Sequence, residues 1–226
     1  MACDAIIVAS GSSRRMGFDK LAAELAGISV LRRTVAAFLG CPDIQRVVVV
    51  CPQDRFDALL SDVADQVCRV DGGQERHFSV LAGLAEVSAD QVAVHDGARP
   101  LITPSAIRAC LTIAQETGAA ALARPVTETL KRANEEGFSD GAVSRENLWN
   151  METPQIFQTG LLRRAYAEVL SRNLLVTDEV SALEALGVPT KLCLSTAPNL
   201  KITHPADLHV AGALLRSDSS HAGHLP

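Results

Sequence analysis

At 226 residues with 47% hydrophobic content, the chain can bury one sizeable core, and a single domain over residues 1–216 is expected. A formal charge of -5 excludes a broad basic face of the kind that neutralises nucleic-acid phosphates, so an anionic ligand must be met by a local Arg/Lys cluster. No apolar run approaches the ~20 residues of a membrane span, and the N-terminal stretch lacks the layout of a signal peptide, which predicts a cytoplasmic protein with no membrane partner.

The first apolar run, Ala5 to Ala9, predicts a buried strand. Similar runs recur at Val47 to Val50, Val92 to Val94, Ala119 to Ala123 and Leu192 to Leu194. Each is continuous rather than alternating, as in strands covered on both faces. Between them lie stretches of helical period, such as Leu161, Leu162, Ala165, Tyr166, Val169 and Leu170, or Val180, Leu183 and Leu186. The alternation predicts an α/β fold of three layers with a mainly parallel sheet, whose ligands bind outside the carboxyl ends of the strands. The segment at about 125–150 breaks this rhythm. Extended pieces at Thr129 to Ala133 and Ala142 to Arg145 flank a polar connection, which predicts a projecting β-arm too apolar-poor to fold alone and suited to a homodimer contact. Residues 217–226 are small and polar and are expected to form a disordered tail. The six cysteines are scattered without a C-x-x-C pair and are expected to be reduced and structural.

The residues after the predicted strands carry the chemistry. Directly after the first comes Ser10-Gly11-Ser12-Ser13-Arg14-Arg15-Met16-Gly17-Phe18-Asp19-Lys20, small residues that admit a polyphosphate beside Arg15 and Lys20. Neither the dinucleotide fingerprint nor the P-loop pattern is present, because Gly11 and Gly17 enclose five residues and Phe18 follows. An ordinary Gly/Ser turn with solvated arginines is the alternative. Asp71-Gly72-Gly73-Gln74-Glu75-Arg76 then offers a glycine pair that lets backbone approach a flat base, with Ser79 at a helix start. His95-Asp96-Gly97-Ala98-Arg99-Pro100 puts a carboxylate and a guanidinium at a strand end, able to grip a hydroxyl and a phosphate or to form a plain surface ion pair.

These blocks, with Thr129-Leu130-Lys131-Arg132, Leu148-Trp149, Thr153-Pro154-Gln155-Ile156-Phe157, Thr177-Asp178-Glu179-Val180-Ser181-Ala182-Leu183-Glu184 and Asn199-Leu200-Lys201-Ile202-Thr203, resemble in their order the methylerythritol phosphate cytidylyltransferase family. The resemblance runs from the first strand to about Asp207. It implies a Rossmann-like nucleotidyltransferase that joins CTP to 2-C-methyl-D-erythritol 4-phosphate with Mg²⁺ held mainly through the CTP phosphates. It also implies roles. Arg15, Lys20 and Lys201 would be catalytic; Ala9, Ser10, Gly11, Gly73, Gln74, Ser79 and Gly97 would serve the nucleotide; Asp96, Arg99, Thr153 and Thr177 would face the acceptor; and Thr129 and Arg145 would reach it from a neighbouring subunit's arm. Departures from the family pattern are Gln74 where Asp is common, Gly97 where Ala is frequent, Ser10 for Ala and Asp19 for the Pro often found before the lysine. A ribitol 5-phosphate cytidylyltransferase, a molybdenum-cofactor nucleotidylyltransferase and a non-catalytic nucleotide sensor are the competing readings.

Overall fold

The computed structural model describes residues 2–11 and 17–221. Its frame is a seven-stranded sheet. Strands β1 (Cys3–Val8), β4 (Ile44–Val50), β5 (Val67–Val70), β6 (Gln91–Asp96), β7 (Ala119–Pro125), β10 (Trp149–Gln158) and β11 (Lys191–Leu194) lie in the order β11-β7-β10-β6-β1-β4-β5. A two-stranded ribbon, β2 (Glu24–Leu25) with β3 (Ile28–Ser29), leads into the first helix. Every neighbouring pair in the large sheet is parallel except those of β10, which runs antiparallel to both β6 and β7. The five apolar runs read from the sequence all fall in strands of this sheet.

Helices cover both faces, which is why the central strands are apolar on both. Against one face, α1 (Val30–Leu39), α2 (Gln53–Leu60), α4 (Pro104–Thr117) and α7 (Pro205–His221) bring Leu31, Phe38, Leu60, Ile107 and Ala211 onto Ala5, Ile7 and Ala93. Against the other, α3 (Arg76–Ala85), α5 (Thr159–Ser171) and α6 (Glu179–Glu184) bring Val80, Leu162, Tyr166 and Leu183 onto Ile6, Val92 and Val94. Helix ends are set locally. Ser29 and Thr103 accept the N–H of Arg32 and Ala106, and Gly118 closes α4 at φ 84°, where a side chain would be strained. Among the described residues, no helix is long and apolar enough to cross a membrane.

The β-arm is present as an antiparallel pair, β8 (Leu130–Ala133) with β9 (Ser139–Val143), that joins no strand of the central sheet. The second strand starts at Ser139 rather than Ala142. The cause is the turn: Asn134 accepts the Phe138 N–H on its side chain at 2.8 Å while Gly137 supplies φ 86°, so pairing resumes immediately afterwards. At the C-terminus, α7 takes in residues 217–221 of the segment expected as a tail, and 222–226 lie outside the described residues. All six cysteines are free thiols and five are buried. Burial pushes Cys3 up to about 12 and Cys51 up to about 11, so both stay protonated and serve as small apolar groups.

Helix α3 sits close to the sheet because Gly83 has no side chain. A Cβ there would lie 2.6 Å from Ile6 Cγ2 and 3.1 Å from Val50 Cγ2. Gly83→Val should therefore lower stability by about 2 kcal/mol through overpacking, measurable as a lower urea midpoint at unchanged m-value.

Candidate active site

The parallel strands end together, and the loops leaving them form the site. After β1, Ala9 is fixed by donating its N–H to Val50 O at 2.9 Å, and Gly97 donates to Val8 O at 2.9 Å. Gly97 permits this approach, since a Cβ on it would lie 3.1 Å from both Ala9 Cβ and Val8 O. Beside them is the glycine pair. Ser79, fully buried in α3, has its hydroxyl 2.9 Å from Ser10 Oγ and accepts the Gly73 N–H at 3.1 Å. A Cβ on Gly72 would lie 2.4 Å from Ser10 Cβ, and one on Gly73 would lie 2.3 Å from Phe78 Cβ. The sequence thus needs glycine at both positions to bring three chain segments, Ala9–Gly11, Gly72–Gly73 and the start of α3, into one open cradle. Gly11 and Gln74 are exposed at its rim.

At the end of β6 stands Asp96, 8% exposed. Its Oδ2 lies 2.9 Å from Lys201 Nζ and 3.4 Å from Arg99 Nε, and its Oδ1 lies 3.6 Å from Arg76 Nη2. Burial alone would raise its pKa; Lys201, Arg76 and Arg99 outweigh that and hold the carboxyl well below the usual carboxylate range. Strand β10 fixes the backbone at this point. Its register slips between Met151 and Gln155, and in the slip, which contains a cis Thr153-Pro154 bond, the Thr153 hydroxyl accepts the Asp96 N–H at 3.1 Å. The same hydroxyl is 3.0 Å from His95 Nδ1. His95 is fully buried, which lowers its pKa to about 3, so it stays neutral beside that hydroxyl. Thr153, 4% exposed, thus acts on Asp96 and His95 rather than presenting a free donor.

The segment after β11 completes the cluster. Arg99 donates to Asn199 O at 2.7 Å, Ile202 donates its N–H to Ala98 O at 2.8 Å, and Asn199 Nδ2 donates to Thr153 O at 2.7 Å. Lys20, arriving from the far side of the first loop, donates to Ile202 O at 2.8 Å. The Lys20 and Lys201 segments therefore meet although the two residues are 181 positions apart in the chain. Arg15, the other expected cation of that loop, lies outside the described residues.

Not every expected residue joins this cluster. Thr177 is exposed with its hydroxyl 3.2 Å from Ser181 Oγ, and the α6 cap is Asp178, which accepts the Ser181 N–H at 3.0 Å. Thr129 and Arg145 belong to the arm, where Arg145 donates to Thr127 O. Residues not singled out as functional in the sequence do join. Arg55 on α2 donates to Ala9 O and pairs with Asp19 Oδ2 at 3.0 Å, bracing the chain on both sides of the first loop. Arg76 pairs with the fully buried Glu179. Arg76 could have been found from its motif; Arg55, one charged residue of an amphipathic helix, carries no sequence signal.

Because the folded pKa of Asp96 is depressed, its stabilising contribution is complete above its unfolded value near ~3.9 and is lost as pH falls through and below it. Asp96→Asn should be less stable than the parent at pH 7, and the gap should narrow steadily between about pH 4 and pH 2 in urea titrations.

Comparison with known proteins shows the family. The model of the 2-C-methyl-D-erythritol 4-phosphate cytidylyltransferase family matches residues 3–217. The protein of that name from Aeromonas hydrophila is 39% identical over 220 residues, covering 96% of this chain and 90% of its own. The one from Vibrio parahaemolyticus is 42% identical over 217 residues, covering 92% of each. Among solved structures, the enzyme from Thermus thermophilus superposes with a TM-score of 0.82 at 33% identity over 96% of this chain and 100% of that one. That from Francisella tularensis gives 0.83 at 28% identity, covering 95% and 100%. A full-length family match, two relatives near two-fifths identity and a shared Rossmann-like sheet leave one assignment: this chain belongs to the 2-C-methyl-D-erythritol 4-phosphate cytidylyltransferase family.

Proposed function

We propose that this chain transfers the cytidylyl group of CTP to 2-C-methyl-D-erythritol 4-phosphate at the strand ends around Asp96. The products are 4-diphosphocytidyl-2-C-methyl-D-erythritol and pyrophosphate, a step of isoprenoid precursor biosynthesis. The observation that carries the site assignment is the meeting of the Lys20 and Lys201 segments: Lys20 is anchored on Ile202 O, and Lys201, next to Ile202 in the chain, on Asp96. Around the carboxylates of Asp96 and Glu179 stand Arg76, Arg99 and Lys201, which leaves a local surplus of positive charge in a chain of net charge -5. Such a surplus suits two substrates that are both anions.

The reaction is in-line attack of an acceptor phosphate oxygen on the α-phosphorus of CTP; the P–O bond to the β-phosphate breaks and pyrophosphate leaves with the bonding pair. The acceptor phosphate, with a second pKa near ~6, is already largely dianionic at neutral pH, so no side chain need remove a proton. What the protein must do is hold two anions in line and offset the charge on the α-phosphoryl oxygens. The cradle of Ala9, Ser10, Gly11 and Gly73 takes the nucleotide, with Ser79 fixing its shape, Gly97 allowing the β1 and β6 ends to approach and Gln74 at the rim beside the ribose. Lys20 and Arg15 hold the triphosphate, and Lys201 meets the α-phosphate. Asp96, oriented by Thr153, accepts from acceptor hydroxyls while Arg99 and Thr177 face the acceptor. Mg²⁺, the hard cation that accompanies nucleotide triphosphates, would be held mainly through the CTP phosphates. When bound, that ion neutralises part of the triphosphate charge.

The arm supports a homodimer reading. It leaves the central sheet, exposes Phe138 (69%), and carries Thr129 and Arg145, which would reach the acceptor of the partner subunit.

Pyrophosphate release should occur with CTP and 2-C-methyl-D-erythritol 4-phosphate and not with ribitol 5-phosphate; the reverse preference would reassign the acceptor, and silence with both would sink the activity. Lys20→Ala and Lys201→Ala should each lower kcat about a hundredfold. If the arm acts in trans, mixing impaired Arg145→Ala protein with impaired Lys20→Ala protein should restore activity through hybrid dimers, each with one intact site, approaching about a quarter of the parent rate per total subunit. No recovery after subunit exchange would place Arg145 in cis or outside the reaction.

A further inference from the structure

Glu179 is a carboxylate with no exposed surface, at the start of α6 beside Tyr166. Its Oε1 accepts from Arg76 Nη1 at 2.5 Å and from the Tyr166 hydroxyl at 2.8 Å, and its Oε2 accepts from Arg76 Nη2 at 3.0 Å. Glu179 and burial act oppositely on Arg76. Burial would lower its pKa, and the carboxylate outweighs this and raises it, so Arg76 remains charged. A buried ion pair of this kind contributes little net stability compared with apolar side chains of the same volume. Its distinctive property is geometry: a planar guanidinium held by two parallel hydrogen bonds has one orientation.

That orientation aims Arg76 Nη2 at Asp96 Oδ1, 3.6 Å away. The connection also closes on itself. Glu179 and Val180 donate their N–H groups to Gln155 Oε1 at 3.2 Å each, and Gln155 Nε2 donates to Asp178 Oδ2 at 2.8 Å. Gln155 is two residues beyond Thr153, whose hydroxyl holds the Asp96 N–H. Asp96 is therefore gripped by its backbone from β10 and by its carboxylate from α3, and both grips pass through the first turn of α6, directly after Thr177.

We propose that Arg76 and Glu179 are positioning residues for the acceptor: the pair sets the place of Asp96 and of the Thr177 segment, and so governs recognition of the acceptor far more than recognition of CTP. This rests on the activity proposed above. The nucleotide cradle is built by other bonds, those of Ser79 with Ser10 and Gly73, which the pair does not touch.

Steady-state kinetics of three variants, with parent protein assayed alongside, tests this. Glu179→Gln keeps the volume and the Tyr166 hydrogen bond but removes the charge that orients Arg76. Arg76→Lys keeps the charge but not the two-pronged geometry. The double variant Arg76→Gln with Glu179→Gln contains no buried unpaired charge and so remains foldable. All three should raise KM for 2-C-methyl-D-erythritol 4-phosphate at least about tenfold while KM for CTP stays within about twofold. Tyr166→Phe removes a hydrogen bond from the same carboxylate without touching Arg76 or Asp96; it should lower Tm and leave both KM values unchanged. Equal rises in both KM values, rescue of acceptor KM by Arg76→Lys, or a Tyr166→Phe effect as large as that of Glu179→Gln would each overturn the inference. Inactive parent protein would instead overturn the activity on which it stands.

Discussion

The grip on Asp96 is the constraint from which the site follows. A carboxylate 8% exposed at a strand end is tolerable only if its charge is matched, and here Lys201, Arg99 and Arg76 come from three separate segments to match it. Each of those segments is thereby pinned: the loop after β11, the turn after β6 and the first turn of α3. The antiparallel β10 is what makes this possible. Running against its neighbours, it brings its early residues to the end where the parallel strands finish, so that Thr153 can reach the Asp96 N–H.

The polar groups around this point form a continuous hydrogen-bonded set. His95 is kept neutral by burial beside the Thr153 hydroxyl; that hydroxyl accepts the Asp96 N–H and so orients the charged member of the set. The same arrangement separates two tasks. On the function proposed above, glycines and serines would shape the base cradle through close backbone approach, while charged side chains would shape the acceptor side through ion pairs. Electrostatic preorganisation then needs no movement of charge by the protein during reaction.

Much of the frame was legible from sequence because strands covered on both faces leave short continuous apolar runs such as Val47 to Val50. The loops after β1, β5 and β6 were legible for the same reason, since ligands of such sheets bind there. The pairing of side chains was not. Glu179 reads as an acidic residue of a helix's first turn, where it would suit the helix dipole, yet it is fully buried against Arg76, 103 positions away. Thr177 reads as the cap of that helix, but Asp178 takes the role because its side chain reaches the Ser181 N–H. Local patterns specify elements; long-range partners depend on how the elements stack.

Asp19 shows how a departure from the family pattern is accommodated. A proline before the lysine would stiffen the backbone by fixing φ. Asp19 has no such effect on its own, yet its Oδ1 accepts the Leu21 N–H at 3.1 Å and its Oδ2 pairs with Arg55 at 3.0 Å. Arg55 also donates to Ala9 O, so one guanidinium joins the residue before the loop to the residue just before Lys20. Side-chain bonds thus take the place of a covalent restraint. The arginine side chain is only 12% exposed while that of Asp19 is 36% exposed, so solvent screens the pair in part. Lys20 is consequently presented from a fixed stem, and its contact with Ile202 O becomes the outcome of two anchored segments meeting rather than of a free side chain finding a partner.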